Sequence, residues 1–249
     1  MFLKGLIIDG RSFVSDIVAA DYRTADVFRR HNISYCCGGK WPLELVCANQ
    51  GLEITEIIKE LDAATKSVSV SNLIDFSKWD IDFLIDYILQ VHHGYLKLSL
   101  PATSECLAEF VDEHRNKFSH LDSLKTNFER LIKQLDISMM KEEETLFPYI
   151  RQLSHAHRAN ESYAGLLVRT LRKPVEEDLH TGHKLIATLL KQIRELTDLY
   201  TPPKNVCTSH KVVIARLKEL DNDISQHLFL EQTILFPQVL LIEKETLLK

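Results

Sequence analysis

Two segments of the chain repeat a pattern of residues that could bind a metal. In the second segment His227 precedes Glu231 by four positions, and a Leu-Phe-Pro sequence begins four residues after the glutamate. In the first segment Glu142 is followed by Leu-Phe-Pro in the same register, but Ser138 stands where the second segment has its histidine. Residues four positions apart lie on one face of an α-helix. The spacing therefore predicts an internally duplicated helical metal site.

Two further histidines fit the same repeat. His93 and His183 are 90 residues apart, and the two glutamates are 89 apart. A single histidine in an apolar run is more often a satisfied polar group, but the agreement of these spacings favours metal binding. Carboxylates and imidazoles that converge in a helical bundle are typical of dinuclear iron or manganese sites, with the glutamates as bridges and the histidines as terminal ligands. Zinc would favour a tetrahedral set, often with thiolate.

His114 is an additional candidate ligand. It follows His93 by 21 residues, so on one continuous helix the two would be roughly 31 Å apart. Only a break at Pro101 would bring it closer. Six other histidines are expected on the surface or around the site: His92, His120, His155, His157, His180 and His210.

Four amphipathic helices are predicted to carry the site. Apolar residues recur at helical spacing before His93, before Glu142, after His183 and before His227. Pro148 and Pro237 are expected to stop their helices, and Thr201-Pro202-Pro203 to close the third. The fold class is therefore predicted to be all-α, a four-helix bundle made of two similar helix pairs related by a pseudo-two-fold axis.

A small helical domain is predicted to precede the bundle. Residues from about Ser12 to Ala64 fit three short helices around a Cys-Cys-Gly-Gly turn, and a Ser-rich stretch follows. The predicted organisation is residues 1–64 as the small domain, 65–76 as the linker and 77–249 as the metal-binding bundle.

The adjacent Cys36 and Cys37 form a candidate thiol site. Their α-carbons are ~3.8 Å apart, and a disulfide between neighbours would be strained, so paired thiols are expected. The following glycines would let another molecule approach the sulfurs, and a helix N-terminus there would favour thiolate. Cys47 could be a third thiol of this domain, whereas Cys106 and Cys207 are expected to be structural. The alternative is that the pair is a small apolar filler.

The amino-acid composition argues against some classes of partner. The chain has 249 residues, 45% of them hydrophobic, with 8 Gly, 7 Pro and a net charge of -5. This balance predicts a helical globular protein with neither nucleic acid nor membrane as partner. Met1 to Gly10 does not fit a signal peptide, and an odd number of cysteines, five, favours reduced thiols, so we expect a cytoplasmic protein.

The motifs resemble those of the iron-sulfur cluster repair proteins, the repair of iron centres family. The resemblance is carried by Ile33-Ser-Tyr-Cys-Cys-Gly-Gly-Lys40, by Met-Met-Lys-Glu-Glu-Glu-x-Leu-Phe-Pro, by Tyr200-Thr-Pro-Pro and by His-x-x-x-Glu-x-x-x-Leu-Phe-Pro. It covers nearly the whole chain. It implies a hemerythrin-like bundle with a non-haem di-iron centre, and repair of clusters damaged by nitric oxide or peroxide as a stress response. The implied ligands are His93, His183 and His227, with Glu142 and Glu231 as bridges.

The chain departs from the family at two positions. Family members usually have histidine where this chain has Ser138, and commonly glutamate where it has Gly182. A neutral hydroxyl binds iron weakly compared with imidazole. The di-iron centre is therefore expected to be incompletely occupied, or completed by water or another histidine.

Three functions are consistent with the sequence. The first is cluster repair of damaged iron-sulfur proteins by iron supply or nitric oxide handling, in which the thiol domain delivers iron or contacts the client. The second is a hemerythrin-like sensor that binds oxygen or nitric oxide, and the third is a metal-depleted interaction module. Catalytic turnover is left undecided, and a homodimer is a hypothesis that rests only on the linker.

Overall fold

The computed structural model describes residues 8–35, 39–65 and 74–248, with only the backbone for 171–179. These residues form helices joined by loops and contain no strand, which confirms the predicted all-α class. The described part divides into two compact units. One holds the described residues up to position 72 together with Tyr200–Lys218, and the other holds the described residues of 73–199 and those from Glu219 onward. The predicted domain and linker boundaries stay a prediction, and residues 66–73 of the linker lie outside the described ranges.

The N-terminal residues form four helices where three were predicted. They are α1 (Val14–Ala20), α2 (Thr24–Arg30), α3 (Leu43–Gln50) and α4 (Ile54–Thr65). The extra break lies at Asp21, whose backbone is extended and whose side chain accepts a hydrogen bond from the backbone N–H of Arg23. A short acidic side chain that bonds to the backbone two residues on favours a turn over a continuous helix. Cys36, Cys37 and Gly38 lie outside the described residues.

Four long helical segments follow. The first is α5 (Ile81–Tyr87), a π-helical turn (Ile88–His93) and α6 (Gly94–His114). The second is α7 (Leu121–Lys141), a π turn (Glu142–Leu146) and α8 (Phe147–Arg158). The third is α9 (Ala164–Leu196), and the fourth is α10 (Thr208–Phe229), a π turn (Leu230–Leu235) and α11 (Phe236–Leu248). No residue between the parts of one segment leaves the helix, so the predicted four helices are confirmed.

The prediction that prolines stop these helices is wrong. Pro148 and Pro237 lie in the first turns of α8 and α11, directly after a π turn. In a regular α-helix the proline ring collides with the carbonyl four residues before it, and the wider π turn relieves this contact. Pro101 also lies within α6, on its exposed side, without ending the helix.

Helix α9 ends before Thr201-Pro202-Pro203, as predicted. Asp198, Leu199 and Tyr200 have φ angles of 47°, 53° and 60°, so three successive residues adopt the left-handed conformation. That conformation cannot continue a right-handed helix. The chain therefore reverses before the two prolines.

The helical segments of the second unit pack through their apolar faces. α7 lies against α6 and α9, and α11 lies against α8 and α9. The predicted core residues of α7 are all buried: Leu121, Leu124, Phe128, Leu131 and Leu135. Leu185, one of the apolar residues that recur at helical spacing after His183, is 39% exposed. Among the described residues, no helix combines the length and apolarity that a membrane crossing requires.

Candidate metal centre

The π turns hold three of the five predicted ligands. His93 is the last residue of the first π turn, Glu142 begins the second, and Glu231 lies in the third. A π turn adds one residue to the helix and rotates the following side chains, and such turns are frequent at functional sites. His183 projects from α9 and His227 from the last turn of α10. All five side chains are at most 2% exposed.

One side of the cluster has two imidazoles. Nε2 of His93 lies 3.2 Å from Oε2 of Glu142 and 3.3 Å from Nε2 of His227. Nε2 of His227 lies 3.3 Å from Oε1 of Glu231. One ligand atom from each of these four residues lies within 4.8 Å of all the others, which is a spacing that one metal ion can span.

The other side of the cluster has one imidazole. Nε2 of His183 lies 3.3 Å from Oε1 of Glu142 and 3.4 Å from Oε2 of Glu231. Each glutamate therefore presents one oxygen to the His93 side and the other to the His183 side. This is the arrangement that a bridging carboxylate needs.

The carboxylates are buried without ordinary partners. Glu142 Oε2 and both oxygens of Glu231 accept no hydrogen bond from the described residues. Burial raises the pKa of Glu142, but the adjacent imidazoles of His183 and His93 outweigh it and hold that pKa below its usual value. Burial, together with the negative charge of Glu142, raises the pKa of Glu231. A cation between the two carboxylates would remove this repulsion.

The donors fit iron. Burial lowers the pKa of His227 against the opposing charges of Glu142 and Asp223, which keeps its imidazole neutral and able to bind a metal. Imidazole and carboxylate donors suit iron, and no cysteine joins the described cluster as zinc would favour. Unsatisfied buried oxygens in an all-α core are costly unless a cation compensates them. The set is therefore compatible with iron.

Residues directly after Glu142 and Glu231 position two of the histidines. Glu143 Oε1 accepts a hydrogen bond from Nδ1 of His93 at 2.7 Å and is also bonded by Lys97. The side-chain amide of Gln232 lies 3.2 Å from Nδ1 of His183. A bond at Nδ1 directs Nε2 toward the metal position. Sequence reasoning missed both residues, although they are 89 positions apart and so repeat like the glutamates.

A buried His-Asp pair also adjoins the cluster. His92 is 1% exposed, its Nδ1 lies 3.0 Å from Asp223 Oδ1, and its ring stacks on that of His227 at 5.8 Å between centroids. His92 therefore lies around the site, which is one of the two placements expected for it. Asp223 was missed because it has no identical counterpart in the first repeat.

The structure does not bring His114 to the cluster. Because α6 continues through Pro101, His114 lies about 30 Å along the helix from His93. Its Nδ1 donates to the carbonyl of Phe110 at 3.0 Å. His180 is exposed. Neither residue is a ligand in this geometry.

Ser138 lies beside the single-imidazole side. It is 3% exposed, and its hydroxyl has no hydrogen-bond partner among the described residues. A Cβ added to Gly182 would lie 3.3 Å from that hydroxyl and 2.9 Å from Nε2 of Gln134. Gln134 therefore lies over the glycine, next to the position where the repeat predicts a histidine.

The bundle and its buried histidine-carboxylate cluster define a helical metal-binding protein. The chain belongs to the hemerythrin HHE cation binding domain family, whose model matches residues 84–239. Residues 11–65 match the model of ScdA_N, a domain of unknown function (DUF542).

The similarity to known proteins covers most of this chain and most of each relative. The chain is 29% identical to the iron-sulfur cluster repair protein YtfE of Edwardsiella ictaluri over 88% of its own length and 91% of that protein. It is 26% identical to a probable iron-sulfur cluster repair protein of Haemophilus influenzae, over 91% and 96%. It is 28% identical to the YtfE protein of Enterobacter sp., over 91% and 96%. These matches confirm the resemblance that the sequence motifs indicated.

Proposed function

We propose that the chain holds iron as a dinuclear centre and restores iron-sulfur clusters damaged by nitrosative or oxidative stress, acting in the cytoplasm. The observation that carries the proposal is the placement of Glu142 and Glu231. Each offers one carboxylate oxygen to the His93 side and one to the His183 side. The names of the similar proteins, which are called iron-sulfur cluster repair proteins, supply the cellular role.

The residues of the cluster would have different roles in binding iron. His93, His183 and His227 would be terminal ligands, and the two glutamates would be bridges. Bound iron would supply a labile ion for a damaged cluster or a binding position for nitric oxide or oxygen. Glu143 and Lys97 hold His93 in orientation, and burial of the cluster side chains limits their contact with solvent.

The thiols would face the client protein. Cys36 and Cys37 are assigned this role from the sequence alone, since they lie outside the described residues. Their proposed partner is an iron-sulfur protein whose cluster has lost iron. Thiolates that bind iron transiently could pass it to such a cluster.

A gas sensor would use the same metal site, so an activity assay must separate the two functions. The assay would incubate the iron-loaded chain with a nitric oxide-treated hydro-lyase that contains a [4Fe-4S] cluster, and follow recovery of hydro-lyase activity. We expect recovery with the native chain and with Glu144→Gln, an exposed neighbour of the site. The double variant Glu142→Gln, Glu231→Gln should give none.

The outcomes distinguish the functions. Iron binding without any recovery of the client would contradict repair and favour the sensor. Equal recovery with the native chain and with the double variant would exclude a role of the cluster. Recovery that is lost in Cys36→Ser, Cys37→Ser would support the thiol assignment.

A further inference from the structure

The two sides of the cluster differ in more than one residue. On the His93 side, His227 supplies the second imidazole, and the His92 ring stacks on it while bonding to Asp223. On the His183 side, Ser138 occupies the position equivalent to His227. The loss of an imidazole is therefore confined to one side.

The hydrogen-bonded His92–Asp223 pair beside the His93 side also has no matching pair on the His183 side. Asp223 follows Gln134 by 89 residues, and Gly182 follows His92 by 90, so the repeat makes Gln134 and Gly182 equivalent to Asp223 and His92. The first pair is a buried His-Asp hydrogen bond of 3.0 Å. In the second pair Gln134 lies against a glycine that has no side chain to bond. The His183 side thus lacks both the second imidazole and the ring that would support it.

We propose that the cluster binds two metal ions with unequal affinity, so that the His93 side fills first and the His183 side fills last and releases its ion first. This rests on the dinuclear metal assignment of the proposed function. The first ion has two imidazoles and two carboxylate oxygens. The second has one imidazole, two carboxylate oxygens and a neutral hydroxyl, which is a weak ligand.

The second metal ion should bind with a much lower affinity than the first. Loss of an outer hydrogen-bond partner alone typically weakens a metal site by about 10–100-fold, and here a direct ligand is replaced. We therefore expect the second ion to bind on the order of 100-fold more weakly than the first. In the proposed function, this weakly held ion would be the one available for donation.

Titration with Co²⁺ tests the proposal without any activity assay. Anaerobic titration in the presence of a chromophoric chelator would give both dissociation constants for the full-length chain. Native protein should bind two ions in well-separated steps. His183→Ala should remove the weak step and keep the tight one, whereas His93→Ala should remove the tight step.

Substitutions at Ser138 test the cause of the difference. Ser138→His should strengthen the second step at least tenfold, and Ser138→Ala, the matched control, should not strengthen it. Since Gln134 lies close by, an imidazole at position 138 could prevent folding. Ser138→Asp then provides a smaller anionic ligand and should also strengthen the second step.

Three results would overturn the proposal. They are two steps of equal affinity within threefold, loss of the tight step in His183→Ala, or an unchanged second step in folded Ser138→His and Ser138→Asp. These results leave a metal-binding site and hence the proposed function intact. Absence of any Co²⁺ binding would instead contradict both.

Discussion

The burial of two neighbouring carboxylates, Glu142 and Glu231, explains why the cluster needs a cation. Both are fully buried, and both carboxylates lie against His183. Burial raises the pKa of Glu142, but the neighbouring imidazoles outweigh it and hold that pKa below its usual value, whereas burial and then the negative charge of Glu142 raise the pKa of Glu231. Bound metal would let both ionise.

Glu143 should strengthen the metal site although it is not a ligand. Burial raises its pKa, but hydrogen bonds from Lys97 and His93 outweigh this effect and lower the pKa. The substitution Glu143→Gln replaces a charged acceptor for Nδ1 of His93 by a neutral one. We expect metal affinity to fall on the order of tenfold. Chelator competition would measure it against Glu144→Gln, and equal affinities would contradict the role.

Cys47 should be chemically inert in the folded protein. The thiol is 1% exposed, and burial raises its pKa, so little thiolate forms between pH 7 and 8. We expect iodoacetamide to modify it on the order of 100-fold more slowly in the native chain than in urea. Site-resolved mass spectrometry would compare it with the partly exposed Cys207. Equal native rates would show that Cys47 is accessible.

The repeat in the sequence identified together the five side chains that the structure brings into one cluster: His93, Glu142, His183, His227 and Glu231. Glu143 and Gln232 could also have been found, since each directly follows a glutamate of the repeat. His92 and Asp223 could not, because their repeat partners, Gly182 and Gln134, have different chemistry. Where the two halves diverge, only the packed structure reveals which residues correspond.

The π turns place three of the five cluster residues, His93, Glu142 and Glu231. They let α7–α8 and α10–α11 pass through Leu-Phe-Pro without a break, which helical periodicity alone did not predict. A one-residue insertion shifts the apolar pattern by only about 100°, so it resembles ordinary irregularity in a sequence. The sequence thus indicated the helices and misplaced their ends.

Deletion of Thr145 tests the π turn of Glu142–Leu146. Thr145 is exposed, and its removal would convert the turn to α-helix and rotate the residues after it by about 100°. Phe147, Ile150 and Leu153, each 1% exposed, would leave the core. We expect a loss of several kcal/mol in the free energy of unfolding.

Thr145→Ala is the control for this deletion. It keeps the length of the turn and should change stability by no more than about 0.5 kcal/mol. Urea denaturation followed by circular dichroism measures both variants. A deletion variant as stable as Thr145→Ala would show that the π turn is dispensable.

At the scale of the whole molecule, the N-terminal unit is not formed by the N-terminal residues alone. It includes Tyr200–Lys218, and within it Arg216 of α10 forms an ion pair with Asp26 of α2. The sequence predicted a small helical domain but not this contribution from a distant segment. No local pattern marks an ion pair between residues so far apart along the chain.

Asp26→Asn tests the contribution of that ion pair. Arg216 is 7% exposed, so loss of its charged partner should be costly. We expect the free energy of unfolding to fall by about 1–3 kcal/mol. Chemical denaturation would compare it with Asp62→Asn, at an exposed position of α4. Identical stability of the two variants would mean that the pair contributes little.

The iron content of the anaerobically reconstituted chain, with ⁵⁷Fe Mössbauer spectra to count the iron environments, tests the dinuclear assignment directly. With saturating iron, we expect two iron ions per native chain in two distinct environments. We expect none in the double variant Glu142→Gln, Glu231→Gln and two in Glu144→Gln. A native chain without iron, or a double variant that retains it, would contradict a dinuclear iron centre at this cluster.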